Sequence, residues 1–369
     1  MPTEQRGSTR PTHRLLQTRE RRRWRRIFGH GGAGHEGPPY PPQSAGLGGT
    51  PTNSADTPVS AVFIALFTVS AVLNMTIFQR NRRRGHKFVL SAVLFGFSMA
   101  RIAANVMRIA WANFPHDVQV AIAANILSNA GVLLLFIVNL VLSQRILRAH
   151  QPRIGWSAAA SLAFKLLYAA VAALLVAVVV STVCGFYALD PGVRSRLRDV
   201  QLVATTFLAV LAFLPIPIVA LAALLPRHGA PVDHFGKPAA MRTNILLVLF
   251  TTALLAFAAG FRAGVAYVPP PAGNPAWFHH KAAYYCVNYT VEAVVVFTYA
   301  LSRFDLRFHV PDGAGKTRHY ASGAEAEQAG REAACEERPR TETDDDYDDK
   351  HHPARGALPT GVGEPPLSA

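Results

Sequence analysis

The sequence predicts an all-α polytopic membrane protein, a bundle of about seven transmembrane helices with its N-terminus outside and its C-terminus in the cytosol. Three observations predict it. Half of the 369 residues are hydrophobic and only 16% are charged, against about 25% in soluble domains. Carboxylates avoid the middle of the chain: between Asp56 and Asp305 stand only Asp117, Asp190, Asp199, Asp233 and Glu292. A soluble domain of that length could not cover its surface so sparsely. Finally, apolar runs near the roughly 20 residues needed to cross hydrocarbon recur seven times.

Residues 1–57 read as a disordered tail, first Arg-rich ("RERRRWRRIF") and then Gly/Pro-rich ("GHGGAGHEGPPYPPQSAGLGGTPT"). A mitochondrial presequence would be poor in acids, whereas Glu4 and Glu20 interrupt this one and it shows no clear apolar face. No secretory signal is read here, so the first span is expected to act as its own insertion signal. The transmembrane domain, 58–302, holds spans at 58–78, 88–111, 120–143, 158–186, 200–225, 245–268 and 283–302. The basic break "QRNRRRGHK" separates the first two. Lys165, near the start of the fourth, is placed to snorkel toward headgroups. In the fifth, "FLPIPIV" puts Pro215 and Pro217 where they should kink the helix. Residues 303–369, ending in "TETDDDYDDKHHPARGALPTGVGEPPLSA", read as a disordered cytosolic tail.

Orientation follows from Lys and Arg beside the spans. One side carries thirteen: Arg80, Arg82, Arg83, Arg84, Lys87, Arg145, Arg148, Arg153, Arg227, Lys237, Arg242, Arg303 and Arg307. The other carries four, Arg194, Arg196, Arg198 and Lys281. The richer side is cytosolic by this rule. The basic N-terminal stretch lies some thirty residues before the first span, beyond the roughly 15–20 residues over which the rule counts. A plasma membrane or another secretory-pathway membrane is the expected location.

Ionisable residues inside spans carry the chemistry, because an Arg at mid-bilayer costs about 2.5–3.5 kcal/mol on insertion scales. In "FSMARIAANVMRIAW", Arg101, Asn105 and Arg108 fall on one helical face. Arg101 and Glu292, the lone carboxylate within a span, share mid-depth, while Arg108 and Arg262 sit toward the outer ends. Asn125, Ser128 and Asn129 line one face of the third span in that outer half. Two readings stand: a buried ion pair that fixes helix register, or an outward-facing cationic cavity for a lipid phosphate or carboxylate.

Other motifs are weaker. "PDGAGKT" lacks the first glycine of a phosphate-binding loop and has no preceding strand. The histidines lie in loops or at span edges, so no metal site is expected. No Ser-His-Asp set or G-x-S-x-G elbow occurs, so catalysis and a cofactor are not expected. The sequons at Asn74 and Asn288 fall within spans and should be unused. "GFRAG" favours close helix packing. Cys184 and Cys286, both near outer helix ends, are candidates for a disulfide, with Cys335 a free cytosolic thiol. The net charge of +14 does not point to nucleic acid, since the basic residues lie between apolar runs or in the first 26 residues.

The blocks "GPPYPPQ", "GLGGTPT", "RRRGHKFVLSAVLFGFSMARI", "IAANILSNAGVLLLFIVNLVLSQRILRAHQPRIGW", "LAFLPIPIV" and "RFHVPDG", in order from about 37 to 313, resemble an uncharacterised fungal multi-span membrane family, domain of unknown function 3112. The resemblance implies a fungal integral membrane protein and no particular activity or catalytic residue. A topology-level similarity to fungal lipid-translocating resistance proteins is analogy alone. The function expected is transporter-like or lipid-handling, with the lipid bilayer and an anionic lipid or small molecule as partners. The alternatives are a seven-helix receptor or sensor, which would lack an Asp/Glu-Arg-Tyr-like end to the third span ("LSQRILRAH"), and a non-catalytic scaffold.

Overall fold

Long apolar runs without a charged face leave the backbone no partner but itself, and the chain answers with helices. The computed structural model describes residues 39–40, 47–85, 88–225, 241–268, 277–310 and 320, all of them in the unit Met1–Ala324, and no strand occurs among them. The helices are α1 (Asp56–Arg83), α2 (Val89–Asn113), α3 (Val118–Ala130), α4 (Val132–His150), α5 (Pro152–Gly155), α6 (Ala158–Tyr187), α7 (Pro191–Phe213), α8 (Pro215–Leu224) and α9 (Met241–Tyr267). A 3-10 turn (Trp277–His279), α10 (Lys281–Ala283), a π-helix (Tyr284–Thr290), α11 (Val291–Leu301) and α12 (Phe304–Arg307) follow.

Local chemistry sets the starts. Asp117 accepts from the backbone of Gln119 and Val120 to cap α3, Ser157 accepts from Ala160 to cap α6, and Asp190 accepts from Gly192 to cap α7. Pro191 occupies the first turn of α7, where its missing N–H costs nothing. The cap moves the start of the expected fifth span back to residue 191. Arg194, Arg196 and Arg198, read from sequence as loop residues, therefore stand on α7 itself.

Six stretches are long and apolar enough to cross a membrane: Asp56–Arg83, Val89–Asn113, Val118–His150, Ala158–Tyr187, Pro191–Leu224 and Met241–Tyr267. Two are jointed. Gly131 keeps helical angles between α3 and α4, and the α7–α8 run breaks at Leu214, ahead of Pro215 and Pro217. Neither proline can donate to the carbonyl one turn back, so the hydrogen-bond run is interrupted there while Leu214 keeps helical angles. Where a single seventh span over 283–302 is expected, the structure has a helical run, Lys281–Leu301, interrupted by the π-helix. The wider turn lets Tyr284, Tyr285, Asn288 and Tyr289 all face inward.

Burial separates centre from rim. Thirteen of the 19 residues of α4 are buried, whereas α6 buries only Phe164, Val171 and Ser181 of 30. Leu162, Leu166, Val176 and Val180 on α6, with Val62, Val69 and Val72 on α1 and Leu246 and Phe257 on α9, form an apolar exterior. A helix apolar all round is stable only where its outer face also avoids water. Gly260 and Gly264 correct an expectation: a methyl group added at either would meet nothing, so "GFRAG" does not serve close helix approach among the described residues.

The ends of the chain differ from their expected boundaries. Part of the tail 1–57 is ordered, with the segment 47–55 lying against the bundle and α1 beginning at Asp56. Likewise Arg303 adopts left-handed angles (φ 51°) and leads into α12, where Asp305 receives Asn81 at 3.0 Å. In the tails, residues 1–38, 41–46, 311–319 and 321–369, which take in Cys335 and "PDGAGKT", lie outside the described residues.

Candidate functional site

Arg101 emerges from α2 into the bundle with no exposure, so every donor must find a partner inside. Its guanidinium forms a two-pronged ion pair with Glu292 at the head of α11, with Nη2 donating to Oε1 at 2.6 Å and Nε beside Oε2. Nη1 donates to the Ser128 carbonyl at 2.7 Å, one of the last-turn carbonyls that α3 leaves open. Phe97 and Tyr289 flank the cation at 5.6 and 5.3 Å. Gly131 explains the fit. A Cβ there would stand 3.2 Å from Arg101 Cζ, so the joint between α3 and α4 carries the one residue that admits a guanidinium so closely.

Glu292 serves a second cation. Arg262 on α9 donates from Nη2 to Glu292 Oε1 at 2.7 Å and from Nε to Asn288 Oδ1 at 2.6 Å. One carboxylate thus holds three helical elements together.

Nearer the start of α1 the pattern repeats. Asp56, fully buried, accepts from Arg108 Nε at 3.0 Å, from the Tyr285 hydroxyl at 2.9 Å and from the Thr52 backbone at 2.8 Å, and pairs with Lys281 at 2.6 Å. Arg108 turns inward instead of snorkelling out, and stacks on Tyr284 at 4.2 Å. Its Nη2 donates to the Gly48 carbonyl at 2.9 Å. Gly48 has φ +81°, and a side chain there would strike Tyr284 at 2.6 Å. The segment carrying it is tied down further, Gly48 N donating to the His279 carbonyl at 3.1 Å and Lys281 Nζ to Thr52 Oγ1 at 2.6 Å.

These groups border a cavity of about 1220 Å³. Its lining includes five cations, Arg108, Arg194, Arg198, Arg262 and Lys281, and no Asp or Glu among the described residues. Val132, Leu133 and Phe136 of α4, with Leu175, Val178 and Val179 of α6, supply apolar wall. Asn125, Ser128 and Asn129 also line it. The amides of Asn125 and Asn129 donate back to Ala121 and Asn125. Ser128 Oγ joins the hydroxyls of Tyr284 and Tyr289, at 3.0 and 3.4 Å. His279 stands at the same rim, where burial pushes its imidazole below the usual range and leaves Nδ1 without a partner among the described residues.

The sequence-selected residues therefore divide. Arg101 and Asn105 are sealed in the core, Asn105 donating to the Arg101 carbonyl at 2.8 Å. Arg108, Arg262, Asn125, Ser128 and Asn129 reach the cavity, and Glu292 supports it from behind. Pro215 and Pro217 do not line it. Cys184 and Cys286 are free, exposed thiols in this structure. No cluster of His, Cys, Asp or Glu suited to a metal occurs among the described residues.

Sequence reasoning missed Asp56, Lys281, Arg194, Arg198 and the tyrosines. Asp56 is the last acid before the first span, and it was assigned to the tail. Three tyrosines within six residues, "YYCVNY", directly ahead of Glu292 were a signal available in the sequence.

Residues 236–309 match the family model described as Protein of unknown function (DUF3112). The match takes in Arg262, Lys281, Tyr284, Asn288 and Glu292, while Asp56, Arg101, Arg108 and Ser128 fall outside it. Neither a curated protein nor a solved structure matches the chain.

The Gly131 cradle has a sharp consequence. Gly131→Val should displace the Arg101 guanidinium and destabilise the protein by about 1–3 kcal/mol, as overpacking does. Gly96→Ala, on α2 where an added methyl meets nothing, should instead stabilise by roughly 0.5–1 kcal/mol. Thermal unfolding in detergent reads both; equal effects of one sign would refute the cradle.

Proposed function

We propose that this is a seven-helix integral membrane protein, N-terminus outside and C-terminus cytosolic, whose outward-opening cavity binds the anionic head of an amphiphile in a transporter-like or lipid-handling role. The observation that carries the reading is the cavity lining among the described residues: five cations, apolar wall and no carboxylate. Asp56 and Glu292 each serve two cations, so at each of these two clusters one positive charge is left over. Arg108 and Arg262 share their carboxylates with a second cation while largely buried, and a bound phosphate or carboxylate offsets the cost of that uncompensated charge. The volume exceeds the roughly 300–1,000 Å³ of most small-molecule sites, and the apolar wall suits a hydrocarbon chain. A pure scaffold has no use for such a chamber.

The membrane arrangement rests on separate grounds. The 21 residues of Lys281–Leu301 rise about 30 Å at helical pitch, enough for a seventh crossing. Thirteen Lys/Arg against four support a cavity mouth on the exoplasmic side.

Two experiments test this. A tag after Ala369 should be protected in intact cells and an N-terminal tag accessible; the reverse pattern would overturn the orientation. Purified protein should bind a single-chain lipid phosphate more tightly than its phosphocholine counterpart. Arg262→Gln should weaken that binding by about 1.5–3 kcal/mol, the range for a hydrogen bond to a charged group. Equal affinity for both lipids would refute the cationic-cavity reading.

A further inference from the structure

The opposite ends of the two helices that wall the cavity, α4 and α6, enclose a second, smaller pocket of about 540 Å³. Its lining is Gln144 and Arg148 from the end of α4, Trp156 after α5, and Ala158, Ser161, Phe164, Lys165 and Tyr168 from the first three turns of α6. From the geometry we infer that this pocket holds the phosphate of an anionic membrane lipid, in the leaflet at that end of the bundle.

Charge is the first ground. Arg148 and Lys165 line the pocket, and neither pairs with a carboxylate among the described residues. None is within reach along these helices either, because no Asp or Glu occurs from 118 to 189. Arg148 is oriented by its neighbours: its guanidinium lies 4.3 Å over the Trp156 ring, and Nε donates to the Gly155 carbonyl at 3.3 Å. Among the described residues, no other partner meets the two terminal amino groups of the fork, which suit an oxyanion. Tyr168 donates to the Gln144 carbonyl oxygen at 3.2 Å, so the Gln144 amide nitrogen remains a further donor.

Depth is the second ground, and it selects a lipid over a free anion. Lys165 lies seven residues into α6, about 10 Å below its start. It is exposed between Leu162 and Leu166, themselves 57% and 60% exposed. A lysine on that apolar flank has two ways to satisfy its charge, reaching upward along its own stem or meeting a phosphate that reaches down. The pocket beside it, bounded by Trp156 and Tyr168, lies where interfacial aromatics and basic clefts between spans meet lipid headgroups. The acyl chains would run along Leu162 and Leu166.

The inference is independent of the larger cavity, and tryptophan position separates the two. Trp156 lines this pocket and Trp111 lines the other. The test uses the full chain with Trp24→Phe, Trp111→Phe and Trp277→Phe, reconstituted in nanodiscs containing chain-brominated phosphatidic acid or phosphatidylcholine. Trp156 fluorescence should be quenched preferentially by the anionic lipid. Arg148→Gln with Lys165→Gln should remove the preference, roughly five-fold for each charge lost, while Lys165→Arg should retain it. If the double variant does not fold, Lys165→Gln alone carries the test, since that side chain is exposed. Equal quenching by the two lipids, or a preference that survives loss of both cations, would overturn the site. Displacement by inorganic phosphate would overturn the lipid assignment in favour of a soluble anion. Abolition of the preference by Arg262→Gln would overturn its independence from the larger cavity.

Discussion

The structure depends on one carboxylate shared by two arginines. Glu292 takes Arg101 from α2 and Arg262 from α9, and without it two guanidinium groups would stand buried with no counter-charge. Desolvating such groups costs several kcal/mol each. Their partners therefore fix where α11, α2 and α9 meet, and at what register. Much of the local irregularity serves this contact. Gly131 lies in the most deeply buried span where the guanidinium passes, the Ser128 carbonyl opens toward it, and the π-helix turns Tyr284, Tyr285 and Tyr289 inward beside the cations. π turns frequently mark functional sites for this reason: the extra residue re-aims side chains that a regular helix would point elsewhere.

Sharing also explains the cavity. A carboxylate that neutralises one cation leaves the second in excess, and the same arithmetic holds at Asp56 between Arg108 and Lys281. The arginines differ in exposure. Arg101 is wholly enclosed and acts as structure, whereas Arg262, with a side chain 13% exposed, and Arg108 face the chamber. The register-fixing reading and the proposed anion-binding one are thus compatible, since Arg101 is sealed while Arg108 on the same stripe lines the cavity. Other polar contacts, Ser70 with Ser98 and Tyr299 with Asn139 and Thr251, pin helices further from the cavity, a common use of polar groups between membrane helices.

The helical class and six of the spans were legible because hydropathy over twenty residues is a strong, additive signal. The proline break at 215 was legible because a missing N–H is a local fact. Arg101 and Glu292 stood out through their cost in an apolar setting, which depends on type and depth alone. What could not be read depends on chain segments distant in sequence. Asp56 looked like a tail residue because its partners, Arg108, Tyr285 and Lys281, lie from 52 to 229 residues away. The ordering of residues 47–55 rests on backbone contacts with the His279 turn and on Arg108, which composition does not encode.

A double-mutant cycle on Arg101 and Glu292, read by thermal unfolding in detergent, tests the shared carboxylate most directly. Arg101→Gln leaves Glu292 paired with Arg262, whereas Glu292→Gln strands two arginines, so the second change should cost more. Breaking a buried pair costs about 3–5 kcal/mol in water-soluble proteins, and the low end applies where polar contacts between membrane helices are weaker. The double variant should cost less than the two single losses combined. Additive losses, or an Arg101→Gln protein less stable than Glu292→Gln, would contradict the account.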